Sequence, residues 1–382
     1  MSDLTKLKEN FQQRFGREPE KDFIVYGRAE LAGNHTDHQH GHVIAATIDL
    51  PITAVAAKND TGTINVYSEG YELISVNLRT LKPQVKEQNT TAALIRGMAS
   101  RYEKVSGFDA YVVSDVPKGS GLSSSAAFEV LIGRIIEELF DCHTDPTTLA
   151  MNAQYAENVF FGKPCGLMDQ MACSYGGIIK IDFGNPIPIV ERIDYDFEKK
   201  GYTLCIIDSH TDHADLTDYY AEIPAEITKV SNYFYKDNLS QVNKREFARQ
   251  LAQAREYAGD RAMLRAMHVL NENFRVDQMA QMLKADDIDG YLDAVDRSGN
   301  SSWMFLQNVI PAGAIENQGL AFAIITSKFY LAGRGACRVM GGGFAGMLQA
   351  YVPNDMLEQF VLNVDKVLGR NSVMPTKITK YE

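Results

Sequence analysis

The sequence predicts a mixed α/β (α+β) protein, long enough for two domains. Three observations carry that reading. Stretches of strand-like alternation recur along the chain between stretches of helical periodicity. One region runs strand, small-residue loop, helix: Phe108-Asp-Ala-Tyr-Val-Val, then Asp115-Val-Pro-Lys-Gly-Ser-Gly-Leu-Ser-Ser-Ser-Ala-Ala, then an Ala-, Leu-, Ile- and Glu-rich run to Phe140. Finally, 382 residues with 45% hydrophobic and 23% charged side chains suffice for a large core in an ordinary globular composition.

The elements follow in order. Residues 1–14 read as an amphipathic helix with Leu4, Leu7 and Phe11 at helical spacing. Phe23 to Tyr26 reads as a strand running into a polar loop, Gly27 to His42, that holds Arg28, Asp37 and the histidines 35, 38, 40 and 42. Strands are expected over 43–50, 53–58, 63–68 and 74–78. Helices are expected over 91–106 and 147–161, the second carrying Glu157. Phe161 to Gly177 is Gly-flanked and mostly apolar around Asp169. Strands at 178–183 and 202–208 precede helical patterns over 214–234, 244–267 and 276–300, and 320–331 fits a helix or a strand. Residues 336–352 read as a glycine loop between two strands. Gly341, Gly343 and Gly346 formally match G-x-G-x-x-G, but a strand pattern follows, which excludes a dinucleotide-binding turn.

Composition sets limits on partners. There is no run of 18 apolar residues, so no membrane span is expected. The polar N-terminus does not read as a signal peptide. A formal net charge of −11 with no basic patch argues against a nucleic-acid partner. The 5 cysteines are scattered with no C-x-x-C pair, which suggests reduced thiols and a cytoplasmic protein.

Chemistry concentrates at three places. The loop after Phe108–Val113 has glycines that let backbone approach a ligand, serines that add donors, and a helix N-terminus that favours an anion. That is a phosphate cradle without the Gly-Lys-Ser/Thr of a Walker A loop; a plain Ser/Gly turn capping a helix is the competing reading. Asp169 is either a helix cap or a functional acid. The histidines with Asp37 have metal-ligand chemistry, but strand alternation would send His38, His40 and His42 to one face and His35 and Asp37 to the other. A polar loop lining a sugar or phosphate site is the better reading.

Three stretches match one family in order and spacing. Gly27-Arg-Ala-Glu-Leu-Ala-Gly-Asn-His-Thr-Asp resembles the galactokinase signature, usually Gly-Arg-Val-Asn-Leu-Ile-Gly-Glu-His-Thr-Asp-Tyr. Pro117 to Ala127 resembles the ATP motif of the wider GHMP kinases, and Val339-Met-Gly-Gly-Gly-Phe-Ala-Gly resembles their C-terminal glycine motif. Cys165-Gly-Leu-Met-Asp-Gln is similar to the galactokinase segment that carries the catalytic acid.

The resemblance implies a two-domain GHMP-kinase-like fold, an N-terminal domain over 1–195 and a C-terminal domain over 196–382, with the active site in the cleft between them. It implies transfer of the ATP γ-phosphoryl to the anomeric hydroxyl of a sugar, most simply galactose. On this resemblance Asp169 is the acid that takes or orients the hydroxyl proton, and Arg28 stabilises it. Ser125 and Glu157 hold Mg²⁺. Lys118, Gly119, Ser120, Gly121, Leu122, Ser123, Ser124 and Ser125 contact ATP. Asn34, His35, Asp37, Gly166 and Tyr219 line the sugar. The implied partners are sugar and ATP alone, on a monomer or weak homodimer. Asn34 stands where the family usually has Glu, near the C6 end of the sugar. That departure raises one alternative, a kinase with altered C6 preference such as a galacturonate kinase; a second, independent of it, is a sugar- and ATP-binding sensor without turnover.

Overall fold

The computed structural model describes residues 4–116, 124–211 and 216–381. The chain divides into two compact units that interleave in sequence. One comprises 1–28, 47–177 and 379–382; the other comprises 29–46 and 178–378. Compactness therefore does not follow a single cut after residue 195. The long strands that run from one unit into the next are the reason, because a local reading cannot see where a strand changes neighbours.

The first unit opens with helix α1 (Leu4–Phe15), whose Leu7 and Phe11 pack with Val55, Ala57 and Tyr111. Strands β1 (Lys21–Ala32) and β2 (His42–Lys58) follow and pair with one another. The sequence suggests two strands at 43–50 and 53–58, but β2 is continuous through Pro51. The proline falls outside the ladder formed by residues 52–58, where its missing N–H matters little. β3 (Thr63–Ser68), β4 (Ile74–Asn77) and β5 (Phe108–Ser114) complete the order β4-β3-β5-β2; β3 runs parallel to β5 and the other two pairings are antiparallel.

Helix α2 (Thr91–Ala99) is capped by the Thr90 hydroxyl and stops seven residues short of the expected end. The Ser100 hydroxyl bonds back to the Gly97 carbonyl, and Tyr102 turns inward to donate to Glu137 at 2.9 Å. α3 (Ser124–Phe140) packs on α2, α4 (Pro146–Tyr155) and α5 (Met168–Tyr175). α4 begins as its sequence dictates: Asp145 accepts from the Thr147 and Thr148 amides, and Pro146 takes the first helical position. The expected helix over 147–161 changes register at residue 156, where a π-helical turn runs to Phe161 and closes on Gly162 at φ +89°.

In the second unit, residues 42–46 of β2 pair antiparallel with β6 (Ile178–Asp182), and β6 with β7 (Ile189–Ile193). A separate sheet has the order β11-β8-β10-β9, built from β8 (Tyr202–Asp208), β9 (Ala336–Val339), β10 (Met347–Pro353) and β11 (Val373–Thr376). α6 (Thr217–Tyr233), α7 (Lys244–Arg249), α8 (Leu251–Ala258) and α9 (Asp260–Lys284) share one core through Ile227, Phe247, Ala254 and Val269. α10 (Ile288–Ser301) packs on α9 and β9. α11 (Gly319–Leu331) resolves the helix-or-strand ambiguity in favour of a helix, and with α12 (Leu357–Leu368) covers the sheet through Leu320, Ile324, Phe360 and Val364. The glycine loop connects β9 to β10 as the sequence suggests. Among the described residues no helix is long and apolar enough to cross a membrane.

Candidate active site

In the first unit, β1 delivers Arg28 and the first turn of α5 delivers Asp169. The Arg28 guanidinium donates through Nε to Oδ1 at 2.6 Å and through Nη2 to Oδ2 at 2.9 Å. This is a bidentate fork, the strongest geometry open to the two groups. Arg28 is buried at 4% exposure while the Asp169 side chain keeps 29%. The helix-cap reading of Asp169 fails, because Leu167 takes the cap position of α5 and no side chain caps it. Gly166, half-buried, lies in the turn just before.

The next residue, Gln170, ties this pair to a second cluster. Its amide nitrogen donates to Glu157 Oε2 at 2.9 Å and lies 3.3 Å from Glu129 Oε2. Glu157 sits on the π-helical turn, and its Oε1 accepts from the Ser125 hydroxyl at 3.3 Å. Lys163 Nζ is 3.8 Å from the same oxygen. Glu129 is fully buried, and burial together with the nearby Glu157 charge holds its carboxyl well above the usual carboxylate range. Among the described residues, Glu129 Oε1 and Gln170 Oε1 have no hydrogen-bond partner. The sequence reading missed Glu129 and Gln170. Glu129 lies four residues after Ser125 on α3, a spacing that places both on one helix face and was the available signal.

In the second unit, β1 ends in a tight turn. Gly33 has φ +96°, and a Cβ there would lie 2.5 Å from the His42 carbonyl oxygen, so only glycine fits. Thr36 Oγ1 bonds the carbonyls of Gly33 and His42, and Asp37 opens a single 3₁₀ turn, Asp37–Gln39, whose carboxylate accepts from the His38 amide. The turn replaces the strand alternation expected for the histidines. His35 bonds the Gly342 carbonyl, His40 lies 3.3 Å from the Phe183 carbonyl oxygen, and His42 meets Asp277 at 2.9 Å. They do not converge, and among the described residues no group of three or more His, Cys, Asp or Glu could hold a metal ion.

His35 Nε2 is 3.0 Å from Gly342 O, so that nitrogen carries the proton, and Nδ1 is a buried acceptor with no partner among the described residues. Burial first, then the neighbouring His38, pushes its pKa down to about 3. Asn34, assigned to the sugar on the resemblance, is fully buried, with its amide bonded to Glu30, Gly341, Asn308 and Ser302. Tyr219 donates to the Ala312 carbonyl at 3.1 Å, and its ring lies 5.7 Å from that of Phe344. Lys118, Gly119, Ser120, Gly121, Leu122 and Ser123 lie outside the described residues; Ser124 and Ser125 open α3.

The donor set at Ser125 and Glu157 suits a hard divalent cation. Glu157 is buried beside the Ser125 hydroxyl with Lys163 Nζ 3.8 Å away, and Mg²⁺ characteristically takes few protein oxygens and completes its shell with water and phosphate.

Two stretches match known family descriptions: residues 89–177 match "GHMP kinases N terminal domain" and residues 9–58 match "Galactokinase galactose-binding signature". The chain resembles galactokinases along most of its length. It is 28% identical to the galactokinase of Glaesserella parasuis over 91% of this chain and 89% of that one. It is 29% identical to that of Streptococcus thermophilus over 93% and 91%. Its fold matches Lactococcus lactis galactokinase complexed with galactose at a TM-score of 0.84, with 23% identity over 99% and 98% of the two chains. Methanococcus jannaschii mevalonate kinase matches at 0.66, with 14% identity over 94% and 98%.

Proposed function

We propose that this protein is a galactokinase: it transfers the γ-phosphoryl of ATP to the anomeric hydroxyl of galactose. The observation that carries the reading is the Arg28–Asp169 fork, an ion pair whose carboxylate side chain keeps 29% exposure, in a chain that matches galactokinases along nine-tenths of its length. Asp169 accepts the hydroxyl proton or orients that hydroxyl for attack. Arg28 fixes both carboxylate oxygens and offsets charge on the phosphoryl group. Phosphoryl transfer needs positioning and charge neutralisation more than covalent chemistry from the protein.

Ser125 and Glu157 would hold Mg²⁺, which supplies charge neutralisation on the phosphates when bound. The α3 N-terminus with Ser124 adds N–H donors toward phosphate. Lys118, Gly119, Ser120, Gly121, Leu122 and Ser123 are assigned to the phosphates on their match to the ATP motif. On the sugar side, His35 Nδ1 is an acceptor for a hydroxyl, Asp37 a second one, and Gly166 and Tyr219 are assigned on the resemblance. The cysteines stand as free thiols, in keeping with a cytoplasmic enzyme.

The test is ADP release with purified protein across galactose, galacturonate, N-acetylgalactosamine, arabinose and glucose, with and without Mg²⁺. Galactose is expected to lead. Tight binding of galactose and ATP with no ADP released from any sugar would instead make the chain a sensor.

A further inference from the structure

Asn34 is one half of a double departure. The galactokinase pattern has Asn at the position of Glu30 and Glu at the position of Asn34, so in this chain carboxylate and amide have changed places. The two side chains meet: Asn34 Nδ2 lies 3.3 Å from each Glu30 carboxylate oxygen. Both then grip one residue of the glycine loop. Asn34 Nδ2 donates to the Gly341 carbonyl at 2.6 Å, and Glu30 Oε2 accepts from the Gly341 amide at 3.2 Å. The remaining capacity is also used. Asn34 Oδ1 accepts from Asn308 Nδ2 at 2.8 Å and from Ser302 Oγ at 3.2 Å, and Glu30 Oε1 accepts from Arg338 Nη2 at 2.7 Å.

A primary amide has two N–H donors and two acceptor lone pairs. One Asn34 N–H serves Gly341, the other is shared by the Glu30 oxygens, and both lone pairs are occupied. The amide's orientation follows from its partners, since a carbonyl and a carboxylate can only accept. Asn34 is 0% exposed and Glu30 2%. No hydrogen-bonding capacity is left for a ligand.

We propose that Glu30 and Asn34 form one positioning clamp on Gly341. The clamp seats the 33–37 turn on the glycine loop, and the exchanged amide keeps the clamp rather than reading the substrate. The consequence for specificity rests on the galactokinase reading: Asn34 does not set a C6 preference. That task falls to groups with spare capacity, of which His35 Nδ1 is one.

The experiment uses the full-length protein with Glu30→Asn, Asn34→Glu, the double exchange, and Asn34→Ala, which removes the amide without adding charge. Asn34→Glu brings two carboxylates together in a buried site, and Glu30→Asn leaves the buried Arg338 without this partner, so each single is expected to lower Tm by about 5 °C or more. The double exchange restores one amide and one carboxylate and should recover at least about half of the summed loss. A double variant that loses the sum of the singles, or melts below the worse single, overturns the clamp.

In Asn34→Ala the galactose KM is expected to rise several-fold with kcat nearly unchanged. The ratio of kcat/KM for galactose over galacturonate should stay within about twofold of wild type. A shift of that ratio by tenfold or more places Asn34 on the sugar and sinks the proposal. The melting arm needs no sugar, so it remains decisive even if the wild-type chain phosphorylates none.

Discussion

Replacing Asp169 by Asn tests the mechanism at its narrowest point. The substitution keeps the side chain's size and one acceptor for Arg28, and removes the charge and the ability to take a proton at assay pH. Two charge-assisted hydrogen bonds, each contributing roughly 1.5–3 kcal/mol, give way to one neutral bond. Breaking a fully buried ion pair costs about 3–5 kcal/mol, but the Asp169 side chain is 29% exposed, and solvent screening brings the expected loss of stability to about 2 kcal/mol. The protein should therefore stay folded at assay temperature. Losing a general base typically lowers turnover by roughly 10²–10⁴-fold, equivalent to about 2.7–5.4 kcal/mol of barrier. The expected result is a kcat at least about 100-fold down, with the KM for ATP within about threefold of wild type. The assay is ADP release at saturating galactose, with thermal melts and nucleotide titration alongside. A folded variant with near wild-type turnover would remove Asp169 from catalysis and leave the Arg28 fork a purely structural contact.

Three further outcomes are expected. Ser125→Ala should raise the Mg²⁺ concentration needed for half-maximal activity several-fold, because a hydroxyl 3.3 Å from Glu157 is lost; an unchanged Mg²⁺ titration refutes the cation assignment. His35 is held neutral with a pKa of about 3 against about 6.5 when unfolded, so acid favours the unfolded chain. Its contribution is complete above pH 6.5 and declines by up to about 1.4 kcal/mol per pH unit toward pH 3, and denaturant unfolding at pH 7, 6 and 5 should be steeper in wild type than in His35→Gln. Equal slopes would show that another group, such as the buried His268, carries the acid sensitivity. Gly33→Ala should destabilise by about 2 kcal/mol or more, since the added Cβ meets a backbone carbonyl at 2.5 Å in a left-handed conformation; a melt unchanged from wild type contradicts the turn.

Much of the fold was legible because its signals are local. The strand, small-residue loop and helix around 108–140 carry their own periodicities, and α4 announces its start with Asp145 and Pro146. What was not legible depends on partners distant in sequence. β2 crosses Pro51 unbroken, because what a strand tolerates depends on which neighbours it is bonded to at each residue. The helix after Thr91 ends early because Tyr102 finds Glu137, 35 residues on. The histidines look like a ligand cluster in one dimension, yet one 3₁₀ turn sends them to different partners.

The candidate site divides along the same line. Residues named by motif position, Arg28 with Asp169 and Ser125 with Glu157, do meet in space. Gln170 is the last letter of the Cys165–Gln170 motif but has no role assigned to it there, and Glu129 lies in no motif; both emerge only from the contacts of the buried Glu157 carboxylate and the Glu129 carboxyl. Asn34 poses the converse problem. An amide in place of a carboxylate suggests a different substrate only if the side chain has hydrogen bonds left to offer, and this one has none. A departure at one position is interpretable once the partner that changed with it is known, and here that partner is Glu30, four residues earlier in the same turn of chain. Substrate preference in this protein is therefore to be sought among groups with an unfilled acceptor or donor, beginning with His35 Nδ1.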